Sequence, residues 1–237
     1  MKTIGILGGM SSQSTIPYYR LINEGVNCIL GGHHAPEMLI YSVNFHYIET
    51  FLRQGQWDDA AAYLSEKAVK LEKAGADFLL LATNTMHRVA PQIEQAVSIP
   101  LIHIVDVTAE AILKQGIKTV GILGTKPTME AEFYTARFRD KFGITPVIPS
   151  PEERQRVHTI IFDELCRDVV TDASRQEYLA IMRNLMASGA EGIILGCTEI
   201  GMLISQQDFP DAPLFDTTIL HAQKAVNLCV EREPLPK

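Results

Sequence analysis

Two stretches of the chain place a side chain capable of proton transfer directly after a run of aliphatic residues. GAEGIILGCTE, residues 189–199, reaches Cys197, and GADFLLLATNT, residues 75–85, reaches Thr83 at the matching position. A free thiol has a pKa of about 8.5, and the start of a helix lowers it further. A threonine hydroxyl ionises more like water, whose pKa is about 15.7. The chain therefore repeats one segment but changes its most reactive residue into a very weak acid.

A second pair of segments shows that this repeat extends over the chain. KTIGILGG, residues 2–9, returns as KTVGILGT, residues 118–125. The first pair is offset by 114 residues and the second by 116. Near-equal offsets indicate two halves that share one order of elements.

Each half alternates buried strands with helices. TIGILG, DFLLLAT, TVGILG and GIILGC are continuous apolar runs, which are typical of parallel strands that are buried on both faces. We predict an α/β fold of two pseudo-symmetric lobes, each a mostly parallel sheet flanked by helices. Residues 1–105 and 210–237 would form the first lobe, completed by a C-terminal strand and helix, and residues 106–209 the second.

The two repeated positions both follow the carboxyl end of a predicted strand. Ligands of open parallel sheets bind beyond these ends. If the lobes face each other about a twofold axis, Thr83 and Cys197 reach one cleft from opposite sides. Such a cleft suits a reaction that removes a proton from one face of a carbon and returns one to the other.

Composition excludes several classes of function. The 237 residues carry a net charge of −7 with scattered Lys and Arg, so we expect no nucleic-acid partner. No apolar run reaches the roughly 20 residues of a membrane span, and MKTIGILGGMSS is not a signal peptide, so we expect a cytoplasmic protein. The four cysteines form no CxxC pair and the histidines no HExxH motif, so we expect no metal site. Cys28, Cys166 and Cys229 are expected to be buried small residues, and His87 to make a structural hydrogen bond.

GILGGM, TNTMH and GCTE, at this spacing, closely resemble the aspartate/glutamate racemase family, and the resemblance covers essentially the whole chain. The resemblance implies a two-lobed, cofactor-independent isomerase that acts on amino acids and forms a homodimer. It also implies a two-base mechanism, in which one group removes the α-proton and the other returns a proton to the opposite face of the α-carbon. The family's usual pattern has cysteine at both repeated positions, whereas this chain is similar to a subgroup with a Thr/Cys pair. We therefore expect Cys197 to be the base, facing the α-hydrogen of the L-enantiomer, and Thr83 to be the proton donor.

The remaining site residues are predicted around these two. The amides of Gly9 and Met10, at the start of a helix, are expected to hold a carboxylate. Side chains beside the catalytic pair are expected to bind the same group, and the candidates are Asn84, Thr85, Thr125 and Thr198. Glu199 is either the ammonium-binding residue or an ordinary residue of a first helical turn. Relatives specific for dicarboxylates use an arginine after the second strand and a lysine after the IF.E helix. Only Arg53 follows the second strand here, which argues against strict preference for L-aspartate or L-glutamate and leaves a broader set of amino acids open.

The two repeated residues also have purely structural interpretations, Thr83 as a helix cap and Cys197 as a packed core thiol.

Other functions of the same fold remain alternatives. One cysteine would suffice for a decarboxylase such as arylmalonate decarboxylase, and maleate isomerases (cis–trans isomerases) and hydantoin racemases share the fold. A non-catalytic amino-acid-binding protein is a further alternative from a different class.

Overall fold

The computed structural model describes residues 1–236, which form two compact units. The first comprises Met1–Ile104 and the chain from His221 onward, and the second comprises Val105–Leu220. The chain thus passes from the first unit to the second between residues 104 and 105, close to the predicted boundary. It returns between residues 220 and 221, about ten residues later than the sequence suggested.

The first unit is built on a four-stranded parallel sheet in the order β2-β1-β3-β4. Its strands are β1 (Ile4–Gly8), β2 (Met38–Ser42), β3 (Phe78–Leu81) and β4 (Leu101–Ile102). The central strands β1 and β3 are buried along their whole length. Burial on both faces explains why these segments are continuous apolar runs with no alternation.

Helices connect these strands and cover the sheet. They are α1 (Ser12–Leu30), α2 (Phe45–Gln54), α3 (Trp57–Lys73), a 3₁₀ turn (Thr85–Val89) and α4 (Ala90–Ala96). Helix α5 (Ile104–Lys114) then carries the chain into the second unit.

The second unit repeats the arrangement with the order β6-β5-β7-β8, again all parallel. Its strands are β5 (Thr119–Gly124), β6 (Thr145–Val147), β7 (Gly192–Gly196) and β8 (Leu214–Asp216). The two identical strand orders confirm the predicted pair of α/β halves. One assignment was wrong, because β8 pairs with β7 in the second sheet and does not complete the first lobe.

The helices of the second unit are shorter and less regular. They are α6 (Lys126–Glu130), α7 (Glu132–Ala136), a π-helical segment (Arg137–Lys141), α8 (Pro151–Thr159), a second π-helical segment (Ile160–Glu164), a 3₁₀ turn (Leu165–Arg167), α9 (Asp172–Ala187) and α10 (Ile200–Leu203). Helix α11 (Thr217–Cys229) then returns the chain to the first unit. Within the described residues, no helix has the length and apolar character needed to cross a bilayer.

The repeated glycines before β3 and β7 have a backbone reason. Gly75 and Gly189 have φ angles of +103° and +98°, a region that L side chains rarely adopt. A Cβ built on either would meet no atom within 4 Å. The turn from helix into strand therefore needs glycine for its conformation and not for space.

Candidate active site

The candidate residues of each unit gather at the carboxyl ends of its two central strands. In the first unit Gly9 and Met10 follow β1, and Thr83 follows β3 after one intervening residue. In the second unit Thr125 follows β5 and Cys197 follows β7 directly. Strands β3 and β7 hold equivalent places in their sheets, so Thr83 and Cys197 correspond in the structure as well as in the sequence repeat.

Cys197 contacts a buried carboxylate. Its Sγ donates a hydrogen bond to Oε2 of Glu199 over 2.9 Å, and the Thr198 hydroxyl donates to the same oxygen over 2.5 Å. Glu199 is only 7% exposed. One carboxylate oxygen therefore accepts from both neighbouring side chains, and the thiol proton already points at it.

The environment raises the pKa of the Cys197 thiol well above its ordinary value. Burial is the largest cause, followed by the charge of Glu199 and the hydrogen bond to it. The backbone N–H of Glu199 acts in the opposite direction, but this single amide is outweighed. The expected lowering by a helix start was therefore wrong, because α10 has only four residues and a carboxylate stands beside the sulfur. The thiol rests protonated and needs a neighbouring base to become a thiolate.

Other acidic groups surround Cys197 in the second unit. Burial, and after it the charge of Cys197, raises the pKa of Tyr134 and of Tyr178. Partial desolvation and the charge of Glu199 raise the pKa of Cys166 to about 11, although the residue as a whole stays exposed. Neither tyrosine was predicted to belong to the site. Each lies in a helical segment at a spacing typical of core residues, and no other feature of the sequence marks it.

Two of the cysteines are more exposed than predicted. Cys28 and Cys166 are exposed, whereas Cys229 is buried as expected. Cys28 lies near the end of α1 and Cys166 in the 3₁₀ turn after the second π-helical segment. Helical spacing places a residue on a face but does not say whether another element covers that face.

Thr83 has a different environment. Its N–H donates to the carbonyl of Leu81 over 2.8 Å, and its own carbonyl lies 2.7 Å from Nδ1 of His87. Its hydroxyl makes no hydrogen bond within residues 1–236, so the described contacts give no support to the interpretation as a helix cap. Asn84 is buried next to it, and Thr85 begins the 3₁₀ turn. The main chain of Thr83 is held while its hydroxyl is left available.

The glycine-rich turn after β1 is internally bonded. The N–H of Gly9 donates to the Thr15 hydroxyl over 2.9 Å, so this amide is engaged and not open to a carboxylate as we expected. Gly9 has φ of +85°, and a Cβ there would lie 2.5 Å from the carbonyl oxygen of Val43. Met10 is buried at the same turn. Gly9 thus serves a close approach of two backbone segments.

Two further candidates differ in placement. The Thr125 hydroxyl lies 3.2 Å from that of Thr128 at the end of β5, within the predicted group. Arg53 lies near the end of α2, where its side chain is 76% exposed and pairs with Glu49 at 2.6 Å. Arg53 therefore lies on an exposed helix surface and not directly after a strand, as the other candidates do.

Neither unit shows a metal centre in its described part. Across residues 1–236, no group of three or more His, Cys, Asp or Glu side chains is placed to hold an ion. His87 and His221 of the first unit instead bond to main-chain and tyrosine groups, as predicted for His87.

Comparison with known proteins gives one consistent result. The model of the Asp/Glu/Hydantoin racemase family matches residues 7–225. The broad specificity amino-acid racemase RacX of Bacillus subtilis (strain 168) is 29% identical over 230 residues, which cover 94% of this chain and 96% of RacX.

Solved structures agree with the sequence matches. A Yersinia pestis protein provisionally described as an Asp/Glu racemase is 46% identical with a TM-score of 0.93, over 97% of this chain and 100% of that one. An aspartate racemase homologue from Pyrococcus horikoshii OT3 is 36% identical with a TM-score of 0.85, over the same shares. Both the sequence and the fold are therefore shared along nearly the full length.

Proposed function

This chain belongs to the Asp/Glu/Hydantoin racemase family, and on that premise we propose that it is an amino-acid racemase that requires no cofactor. Its substrates would be L-aspartate and L-glutamate or a broader set of amino acids. The similarity to a broad specificity racemase and to an aspartate racemase homologue supports this range. The exposed, ion-paired Arg53 argues against a dedicated side-chain carboxylate site at that position.

The contact between Cys197 and Glu199 is the observation that carries the proposal. As the sulfur takes the α-proton of an L-amino acid, the thiol proton passes to the Glu199 carboxylate over the 2.9 Å hydrogen bond. The products of this step are a carbanion at the α-carbon, a thiol and a carboxylic acid. Glu199 thereby compensates for the burial that keeps the thiol protonated. This role replaces the expected one of binding the substrate ammonium.

Thr83 completes the reaction in this proposal. Its hydroxyl gives a proton to the opposite face of the carbanion, which is far more basic than an alkoxide. Thr83 then regains a proton from water, and Glu199 releases its proton to the hydroxide that this leaves, so that both groups return to their starting states. A hydroxyl is too weak an acid to serve as a base near neutral pH, so abstraction from the D-enantiomer is slow. Enantiomers have equal free energies in water, so this asymmetry affects rates and leaves the equilibrium unchanged.

We propose that uncharged polar groups orient the substrate. Asn84 and Thr85 beside Thr83, and Thr125 in the second unit, supply hydrogen bonds to the α-carboxylate, together with the main chain at Met10. Neutralising this carboxylate is what makes the α-proton acidic enough to remove without an electron sink. Three predicted residues are left out, because the donor groups of Gly9, Arg53 and Thr198 already bond to another partner.

The experiment that tests the function is α-proton exchange in deuterium oxide with a panel of L- and D-amino acids. We expect deuterium at the α-carbon of both enantiomers, with inversion, for at least one amino acid. Binding without exchange would identify an amino-acid-binding protein. Carbon dioxide release from an arylmalonate, or conversion of maleate, without amino-acid inversion would identify one of the other chemistries of this fold.

We further propose that the enzyme is a cytoplasmic homodimer. All four cysteines are free thiols, which suits a reducing compartment. The outer face of α1 exposes Ile16 and Tyr19, which is compatible with contact to a second copy. Light scattering of the purified protein distinguishes a dimer from a monomer.

A further inference from the structure

His87 connects Thr83 to a distant part of the first unit. It lies in the 3₁₀ turn after β3 and is only 2% exposed. Its Nδ1 is 2.7 Å from the carbonyl oxygen of Thr83, and its Nε2 is 3.2 Å from the backbone nitrogen of Ile104. Both ring nitrogens are thus directed at main-chain groups.

These two partners fix the tautomer of the ring. The N–H of Ile104 can only donate, so Nε2 carries a lone pair and accepts. The carbonyl of Thr83 can only accept, so Nδ1 carries the proton and donates. His87 is therefore neutral in its Nδ1–H form, because a proton on Nε2 would oppose the Ile104 N–H.

Two further histidine rings lie near this imidazole. The rings of His103 and His221 lie with centroids 4.6 Å and 6.0 Å from that of His87. His221 is itself fixed, since Nε2–H donates to the Ile102 carbonyl over 2.7 Å and Nδ1 is 2.8 Å from the Tyr18 hydroxyl. The close ring contact of His87 is therefore the one with His103, and His221 lies farther away with its own partners.

From these contacts we propose that His87 is a positioning residue that sets the direction of the Thr83 hydroxyl. This inference rests on the proposed function, in which Thr83 is the proton donor. The N–H of Thr83 is held by Leu81 and its carbonyl by His87, so the peptide groups on both sides are fixed. A β-branched side chain on a fixed backbone has few χ1 positions, so the main-chain contacts determine where the hydroxyl points.

The other bond of the ring extends this control to α5. Ile104 is the first residue of α5 and the last of the first unit. His87 therefore joins the donor position to the point where the chain leaves that unit. Loss of the bond to Ile104 loosens the ring, whereas loss of the bond to Thr83 frees the donor itself.

Two conservative substitutions separate these bonds. The side-chain amide of His87→Asn reaches the place of Nδ1 and can still donate to Thr83. The longer amide of His87→Gln reaches the place of Nε2 and can accept from Ile104, but it leaves the Thr83 carbonyl without its donor. His221→Gln is the matched control, since it alters a buried histidine that does not contact Thr83.

The measurement is the ratio of inversion to α-proton wash-out for an L-amino acid in deuterium oxide. Wash-out needs only Cys197 and solvent, whereas inversion also needs the donor in place. His87→Gln should lower the ratio by about ten- to a hundredfold, as expected for a displaced reacting group. His87→Asn should stay within about twofold of wild type, and His221→Gln should not change the ratio even where it lowers the melting temperature.

Equal losses of inversion and wash-out in His87→Gln, or an unchanged ratio, would show that His87 is only structural. A second measurement needs no variant: nitrogen-15 NMR of the wild type should show the Nδ1–H tautomer for His87, and an Nε2–H tautomer would contradict the proposal. Failure of the proposed function is a different result. In that case folded wild-type protein would show neither inversion nor wash-out with any amino acid.

Discussion

Thr83 and Cys197 occupy equivalent points of two similar sheets but have opposite surroundings. Around Thr83 the contacts are neutral: a main-chain carbonyl at Leu81 and the ring of His87. Around Cys197 they are acidic, with Glu199 at 2.9 Å and the phenols of Tyr134 and Tyr178 near by. The difference shows that the two halves have diverged beyond one substitution.

This divergence determines which site can pass on a proton. Cys197 has a carboxylate that can take one from it, whereas the ring of His87 presents only an N–H toward Thr83 and has no free lone pair on that side. A hydroxyl with no proton acceptor beside it can donate a proton but cannot act as a base. The surroundings therefore support the roles that we propose for Cys197 and Thr83.

The largest change should come from Cys197→Ser. A serine at this point cannot provide a thiolate, so racemisation should fall by about a hundred- to ten-thousandfold with the fold intact. Circular dichroism and chiral chromatography provide the measurement, with the exposed Cys28→Ser as a matched control. More than a tenth of the wild-type activity in Cys197→Ser would show that another residue is the base.

A smaller loss is expected for Glu199→Gln, which removes the proton acceptor and keeps the shape. Inversion and wash-out from the L-enantiomer should fall together by about ten- to a hundredfold near neutral pH. Because the charge of Glu199 raises the pKa of Cys197, that pKa should fall in the variant, and activity should recover partly as the pH is raised. An unchanged pH–rate profile would mean that Glu199 does not act through the thiol.

Thr83→Cys should make the two halves more alike. A second thiol can ionise, so the rate from the D-enantiomer should rise about tenfold relative to the rate from the L-enantiomer. Initial rates from each pure enantiomer provide the test. If the ratio of the two rates does not move, the asymmetry lies in the surroundings and not in the hydroxyl.

The smallest effect on activity, and a clear one on stability, is expected from His221. Burial lowers the pKa of this residue from 6.5 to about 4. Between these two pH values the unfolded chain binds a proton at His221 that the folded chain does not bind. The free energy of unfolding therefore falls by about 3 kcal/mol as the pH drops from 6.5 to 4. His221→Gln should flatten this part of the denaturation profile, and equal slopes in both proteins would contradict the burial effect.

The central strands of both sheets were predictable because each is an unbroken apolar run in the sequence. Such runs are typical of strands that are buried on both faces. Helix α2 was missed, although Asn44 caps its start by accepting from the His46 N–H, and Gly55, in a left-handed conformation, ends it. The prediction took only Arg53 from this segment and assigned no helix to it. An Asn and a Gly eleven residues apart are the local signals for the start and the end of this helix.

Other errors have no local signal in the sequence. The pairing of β8 with β7 joins segments far apart in the chain, and a short strand does not state which sheet receives it. The raised pKa of Cys197 depends on burial and on where the Glu199 side chain turns. Cys197 and Glu199 are both evident in the sequence, but their hydrogen bond is visible only in the three-dimensional structure.

The most direct test of unequal roles is the behaviour of Thr83→Ala with an L-amino acid in deuterium oxide, comparing inversion with α-proton wash-out. If Cys197 abstracts the proton and Thr83 delivers the next one, wash-out should stay within about twofold of wild type while inversion falls about a hundredfold. Inversion as fast as in the wild type would contradict the account, since the hydroxyl would then play no part in proton delivery.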